Sequence, residues 1–181
     1  MANKALVIAC VALANELYTI KAMNNWEHYD VQCLDAKLHN QPDLIAPKLA
    51  EVISRKGRSY DQILIGYADS GTNGAIDSLI ENDSRLERLP GPHCFSFFIG
   101  ESEYNRLSEQ EPGTFWLTDF LVRHFESMVI KNLGLDKHPE LRDMYFGNYT
   151  SATYLSQISG GELLPTAKKC SDKLGLKFRH I

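Results

Sequence analysis

The feature that most constrains the fold is an alternation of short apolar runs with segments whose apolar residues recur at helical spacing. The run "KALVIACVA" at residues 4–12 is continuous and rich in branched side chains, which is typical of a strand buried on both faces. The segment that follows places Leu17 and Ile20 at helical spacing. A strand followed by a helix is the unit from which open, mostly parallel sheets are built.

The same alternation continues to the end of the chain. Further strands are predicted at "YDVQCLDA", "YDQILIGY" and "PHCFSFFIG", and a last strand begins at Leu176, after a helix that ends at Gly175. Helices are also predicted at residues 41–57, 74–82, 101–109, 114–133 and 140–158. The sequence therefore predicts an α/β fold with three layers, in which helices flank a mostly parallel open sheet of about five strands.

Length, charge and cysteine content limit the organisation and the partners. The 181 residues are 44% hydrophobic, so we expect a single α/β domain over residues 1–181. The net charge of −4 comes from interspersed charges without a basic stripe, which argues against nucleic acid as a partner.

The first apolar run is short, so we expect no membrane span, no secretory signal and a cytoplasmic protein. The four cysteines are widely spaced, and reduced thiols are expected.

The segment "YADSGTNGAID" at residues 67–77 follows the third predicted strand, and ligands of parallel sheets bind beyond the carboxyl ends of strands. Glycines let backbone amides approach a ligand, so this loop is competent to hold a phosphate or carboxylate. The segment lacks both the G-x-G-x-x-G spacing and the lysine of phosphate-binding motifs, so an ordinary turn is the alternative. The candidate cofactor-binding residues in the loop are Ser70, Gly71, Thr72, Asn73 and Gly74.

Thiol and imidazole side chains also fall near predicted strand ends. The candidate metal ligands are Cys10, His39, His93 and Cys94, whose donor atoms suit zinc or iron. A buried cysteine is ordinarily a small hydrophobic residue, so packing is the alternative.

A cysteine nucleophile is a different interpretation of the same residues. Cys10 or Cys94 would be activated by a histidine that Asp69 or Asp119 orients. The aromatic segment near residue 147 supplies two further candidate cofactor-binding residues, Tyr145 and Tyr149. They are expected to line a pocket or a subunit interface, and packing in the core is the alternative. A binding protein and an enzyme both stay open at this point.

Six segments, taken in order, resemble a known family. They are "ACVALANEL", "CLDAKLHNQPDLI", "GYADSGTNG", "GPHCFSFF", "FWLTDFL" and "GLDKHPELRDMYFGNYTSATYLSQ", and they resemble the bacterial and archaeal family known as domain of unknown function 1638. Carried over position by position, its motif residues are Cys10, Cys33, His39, Asn40, Asp69, Gly71, His93, Cys94, Thr118, Asp119, Tyr145 and Tyr149. Their spread over separate segments near strand ends implies a shared site.

Members of this family are often encoded near corrinoid-dependent and trimethylamine-methyltransferase-like proteins. The resemblance therefore implies an accessory protein that binds a metal or a small cofactor in corrinoid-dependent methyl transfer or methylamine one-carbon metabolism. The implied ligand is small and anionic or methylated, and the implied partners are corrinoid or methyltransferase proteins. The alternatives are a cysteine-dependent enzyme acting on a small methylated amine, and a non-catalytic interaction module for a methyltransferase.

Three departures from the family pattern bear on the site. Val11 stands where relatives tend to have glycine, and Ser70 stands where they commonly have cysteine. A metal or thiol site that used position 70 would therefore lose a soft ligand here. Relatives usually continue past the final strand into a tail with glycine and tyrosine, which this chain, ending at Ile181, is expected to lack.

Overall fold

The computed structural model describes residues 4–157 and 161–181, and the chain divides into two compact units, residues 1–94 and 95–181. Each unit contains its own parallel sheet. The predicted α/β class, with parallel sheets flanked by helices, is confirmed. The described residues form seven strands in two sheets, where about five strands in one sheet were predicted. The single domain expected from the chain length stays a prediction.

The first unit alternates strands and helices along the chain. Its strands are β1 (Ala5–Cys10), β2 (Tyr29–Leu34), β3 (Gln62–Gly66) and β4 (Leu86–Arg88). Its helices are α1 (Ala14–Met23), α2 (Ile45–Lys56) and α3 (Ala75–Ile80), with short 3-10 turns at Val11–Leu13, Ala36–Asn40, Pro42–Leu44 and Gly57–Ser59. All pairings are parallel, and the strand order is β2-β1-β3-β4.

This strand order reverses direction between β1 and β3. The chain passes from β1 to β2 on one side and then returns to β3 on the other side of β1. The loops that leave the carboxyl ends of β1 and β3 therefore diverge, and such a point is where a parallel sheet opens a crevice for ligands. Because Ala9 pairs with Gly66, the next residues, Cys10 and Tyr67, meet at this switch point.

The packing of the first unit follows from its sequence pattern. All six residues of β1 are buried, as the continuous apolar run predicts. Helix α2 buries Ile45, Leu49 and Val52 along one face. A Cβ atom at Gly66 would lie 2.7 Å from the Cβ atom of Ala9, so only glycine permits this approach of β3 to β1.

The second unit contains β5 (Thr114–Thr118), β6 (Ser151–Leu155) and β7 (Lys177–His180), all parallel and in the order β5-β6-β7. Its helices are α4 (Ser96–Ile99), α5 (Glu101–Gln110), α6 (Asp119–Arg123), α7 (Arg142–Phe146) and α8 (Leu164–Leu174), with a 3-10 turn at Pro139–Leu141 and a π-helical turn at Glu126–Ile130. One sheet face packs on α6, α7 and α8, with Leu117 and Tyr154 in the core. The other face packs on α5 through Trp116 and Leu155.

Three predicted elements are wrong. The segment "PHCFSFFIG" is not a strand, because its second half forms helix α4; a short apolar run does not by itself separate the two structures. The predicted helix at 114–133 begins with strand β5. The predicted helix at 140–158, whose residue 158 lies outside the described residues, contains strand β6. No helix within the described residues is long and apolar enough to cross a membrane.

Candidate functional site

Four buried side chains meet at the switch point of the first sheet, and we call them the strand-end cluster. Cys10 ends β1, Tyr67 and Ser70 follow β3, and Cys94 lies beyond β4. Their exposed fractions are 1%, 0%, 6% and 8%, respectively. The two loops that carry the last three residues are tied together, because the backbone N–H of Ser70 donates to the Pro92 carbonyl at 3.1 Å.

The contacts within the strand-end cluster are weak and polar. Ser70 Oγ lies 3.1 Å from Cys94 Sγ, and the backbone N–H of Ala12 donates to Cys10 Sγ at 3.4 Å. The side-chain partner of the Tyr67 hydroxyl is the Cys10 thiol, and this hydrogen bond adds to burial in raising the pKa of Tyr67. Sulfur is a weak acceptor. Tyr67 therefore brings a weakly bonded donor to the switch point.

The thiols and imidazoles at the cluster are uncharged near neutral pH. Burial raises the pKa of Cys10 to about 12, and burial also raises the pKa of Cys94. Burial lowers the pKa of His93 to about 4, with a further contribution from His39, and burial lowers the pKa of His39 as well. The His39 ring centroid lies 5.8 Å from that of Tyr67 and 6.5 Å from that of His93. Protonated thiols and neutral imidazoles thus surround the phenol.

The predicted metal ligands all belong to this region of the first unit, where Cys10 ends β1, His39 follows β2, and His93 and Cys94 follow β4. Their donor types suit zinc or iron. Within residues 4–157 and 161–181, however, no group of three or more histidine, cysteine, aspartate or glutamate side chains is arranged to hold a metal ion. The residues as they stand do not fit a metal centre, and zinc or iron binding stays a prediction.

The Asp69 carboxylate binds donors within its own loop, residues 69–74. Ser70, Gly71, Asn73 and Gly74 all have positive φ, between 50° and 83°. The Asp69 carboxylate accepts hydrogen bonds from the Gly74 N–H at 2.9 Å and from Thr72 Oγ1 at 3.0 Å, and the Gly74 bond is the largest cause of its lowered pKa. The Gly74 amide, one of those predicted to receive an anionic ligand, thus already serves a carboxylate of the chain, as in an ordinary strand-to-helix turn.

Asp119, the other predicted orienting carboxylate, lies in the second unit at the carboxyl end of β5 and is 5% exposed. Its carboxylate accepts a hydrogen bond from Tyr154 Oη at 2.6 Å and another from the Gln157 N–H at 3.2 Å. Its own N–H donates to Gln157 Oε1 at 2.9 Å. We call these three residues the carboxylate clasp. A catalytic role for Asp119 stays a prediction.

The remaining predicted site residues have local roles. Tyr145 and Tyr149 are 40% and 38% exposed, and Tyr149 packs edge-on against Phe115. Thr118 caps α6 by accepting a hydrogen bond from the Leu121 N–H. Asn40 is exposed, and Cys33 is half-buried in β2.

The sequence analysis missed Tyr67 as a site residue, because an aromatic side chain at the end of an apolar run predicts core packing. Two features of the sequence mark it: it follows the last strand residue, and it precedes a glycine-rich turn. A phenol in such a position carries a polar group to the edge of the sheet where ligands bind.

The fold defines a parallel α/β protein with a buried, uncharged cluster at a strand switch point. The model of the family described as Protein of unknown function (DUF1638) matches residues 33–181. The match covers most of the chain, so the protein belongs to this family, and the resemblance carried by the six segments is confirmed. No curated protein and no solved structure matches the chain.

Proposed function

We propose that the strand-end cluster binds a small uncharged group of a ligand or cofactor. The observation that carries this proposal is the Tyr67 hydroxyl, which is fully buried and has the Cys10 thiol, a weak acceptor, as its partner. A ligand that offers an oxygen acceptor would give this donor a stronger hydrogen bond, and it would do so where parallel sheets bind ligands.

The uncharged surroundings limit the ligand class. A charged group at the cluster would be buried without a compensating charge, because the neighbouring thiols stay protonated and the imidazoles stay neutral at pH 7. An anion at residues 70–74 would compete with the Asp69 carboxylate for the same donors. The arrangement favours a methylated or carboxamide-bearing group over the anionic ligand expected from the sequence.

The biological role we propose is that of a cytoplasmic accessory protein in corrinoid-dependent methyl transfer or methylamine one-carbon metabolism. This part of the proposal rests on the family resemblance. It is compatible with the chemistry of the cluster, because corrinoids carry uncharged carboxamides that accept a hydrogen bond from a phenol. Binding is favoured over cysteine catalysis, since a Cys10 pKa of about 12 leaves the thiol protonated at neutral pH.

Equilibrium dialysis of the full chain against methylcobalamin, and separately against the uncharged N-methylacetamide, tests the proposal. We expect saturable binding of at least one probe, weakened about tenfold by Tyr67→Phe because one hydrogen bond of about 1.4 kcal/mol is lost. Tyr60→Phe is the matched control. Tyr60 precedes β3, and its hydroxyl donates a hydrogen bond to Asp30 at 2.7 Å. The proposal fails if the wild-type chain binds neither probe, or if both variants bind alike.

A further inference from the structure

A cavity in the second unit is used by neither the strand-end cluster nor the carboxylate clasp. Its volume is about 120 Å³, and it lies where the carboxyl-terminal end of α5 meets the sheet. Trp116, Thr153 and Arg179 form one row across β5, β6 and β7, because each is the register partner of the next, and all three line the cavity. Register partners lie on the same face of a sheet, so the row forms one continuous wall.

Thr153 supplies the polar group of this wall. The residue is 2% exposed, and its Oγ1 makes no hydrogen bond within the described part of the chain. A threonine hydroxyl carries one donor and two acceptor positions, and leaving them unsatisfied in the interior is costly. An unsatisfied hydroxyl on the wall of a cavity indicates an occupant that both accepts and donates hydrogen bonds.

An ion pair forms another part of the lining. Arg179 and Glu111 are bonded to each other, and the Glu111 carboxylate also accepts a hydrogen bond from Ser151 Oγ at 3.1 Å. The Arg179 hydrogen bond is the largest cause of the lowered pKa of Glu111. The two side chains are 39% and 38% exposed, so they border the cavity on the solvent side and keep further donor and acceptor positions.

We propose that this cavity binds a small uncharged polyol or the diol portion of a sugar. An anion would be repelled by Glu111 and a cation by Arg179, and either would have to compete with the existing pair. A hydroxyl group can donate to Glu111 and accept from Arg179 without breaking that pair. Thr153 completes the hydrogen bonding inside, and the indole of Trp116 provides an apolar surface for the C–H face of the ligand.

The chain carries its own sensor for this binding. It has two tryptophans, Trp26 and Trp116, so Trp26→Phe leaves the cavity tryptophan as the only one. Titration of this variant with erythritol, and separately with D-ribose, is expected to change the Trp116 fluorescence saturably, with a midpoint on the order of millimolar for so small a ligand. Adding Thr153→Val should weaken the response at least tenfold.

A matched control and a stability measurement separate binding from folding. Thr150→Val removes a hydroxyl that is exposed and bonded to the Gly113 carbonyl, and this variant should keep the full response. Thr153→Val removes an unsatisfied hydroxyl, so its melting temperature should equal or exceed that of its parent. The proposal is overturned if neither probe gives a saturable response, or if Thr153→Val responds like its parent. It is also overturned if glycerate, an anion, or ethanolamine, a cation at neutral pH, binds more tightly than the uncharged erythritol.

Discussion

Two fully buried tyrosines occupy comparable places in the two units. Tyr67 directly follows the last residue of β3, and Tyr154 is the residue before the last of β6. The Tyr154 hydroxyl donates to the Asp119 carboxylate at 2.6 Å, whereas the partner of the Tyr67 hydroxyl is the Cys10 thiol, a weak acceptor. Burial alone does not distinguish the two side chains, but their hydrogen bonds do. The burial of the Tyr154 hydroxyl is explained by its bond to a carboxylate, which stabilises the fold. The burial of the Tyr67 hydroxyl requires a different explanation.

The two regions also differ in charge. The thiols of the strand-end cluster and the imidazoles of His39 and His93 beside it are in their uncharged forms. The second unit places a carboxylic acid of 5% exposure at a strand end and surrounds it with donors from Tyr154 and Gln157. The same parallel architecture thus supports an uncharged, weakly bonded region and a hydrogen-bonded carboxylate.

The largest effect expected from this difference is on thiol reactivity. In the native chain at neutral pH, Cys10 should have about a thousandfold less thiolate than an ordinary thiol, because its pKa is about 12 against an ordinary 9.0. Iodoacetamide labelling with peptide mass spectrometry, in buffer and in urea, measures this for each cysteine. Half-buried Cys33 serves as the internal comparison. Rapid native labelling of Cys10 would break the comparison and favour the cysteine-dependent enzyme.

The second effect is a loss of stability in acid. His93 has a pKa of about 4 when folded against an ordinary 6.5, so the unfolded chain takes up the proton first. Stability should fall as the pH drops from about 6.5 towards 4, by about 1.4 kcal/mol for each unit of separation. Urea unfolding at several pH values should show that His93→Gln flattens this decline. A decline in His93→Gln as steep as that of the parent chain would contradict the assignment.

The third effect concerns the carboxylate clasp. Tyr154→Phe should lower the free energy of unfolding by about 2 kcal/mol, because it removes a hydrogen bond to a buried carboxylate. Urea unfolding followed by the fluorescence of Trp116, in the Trp26→Phe background, measures the loss in this unit. Tyr149→Phe is the control, since Tyr149 is 38% exposed. If both variants unfold at the same urea concentration, the clasp does not stabilise the unit.

The smallest expected effect is that of Tyr67→Phe on stability, and it tests the difference between Tyr67 and Tyr154 most directly. Tyr67→Phe should change the free energy of unfolding by less than about 1 kcal/mol, because it removes a weak hydrogen bond to the Cys10 thiol while keeping the ring. The measurement is urea unfolding beside Tyr154→Phe under identical conditions. A loss as large as that of Tyr154→Phe would mean that the Tyr67 hydroxyl is strongly bonded in the fold, and the proposed ligand site would lose its main support.

The parts of the fold that the sequence predicted are those with an unambiguous pattern. Strand β1 is a long, branched, apolar run, α2 has a clear apolar face, and Gly175 ends α8 with a φ of 72°. The helices predicted over β5 and β6 failed because each strand is only five residues long and its apolar residues run into a following or preceding helix. In such a segment periodicity alone does not separate strand from helix.

The candidate site was predictable in place but not in composition. The rule that ligands bind at the carboxyl ends of parallel strands brought Cys10 and Ser70 to one region, where the structure has them. The role of Asp69 was not predictable, since its bonds to Gly74 and Thr72 depend on four positive φ angles in the loop. The cavity beside Thr153 was not predictable either, because the order of strands in the sheet determines that Trp116 and Arg179 flank it.

The contact between Ala9 and Gly66 has a consequence for sequence change in this protein. A methyl group added at position 66 would come within 2.7 Å of the one already present at position 9. The space between the two strands therefore holds one methyl group at these two positions, not two. Gly66→Ala and Ala9→Gly should therefore compensate for each other when combined, although each alone is unfavourable. The combined side-chain volume at positions 9 and 66 therefore determines the spacing between β1, which ends at Cys10, and β3, which Tyr67 follows.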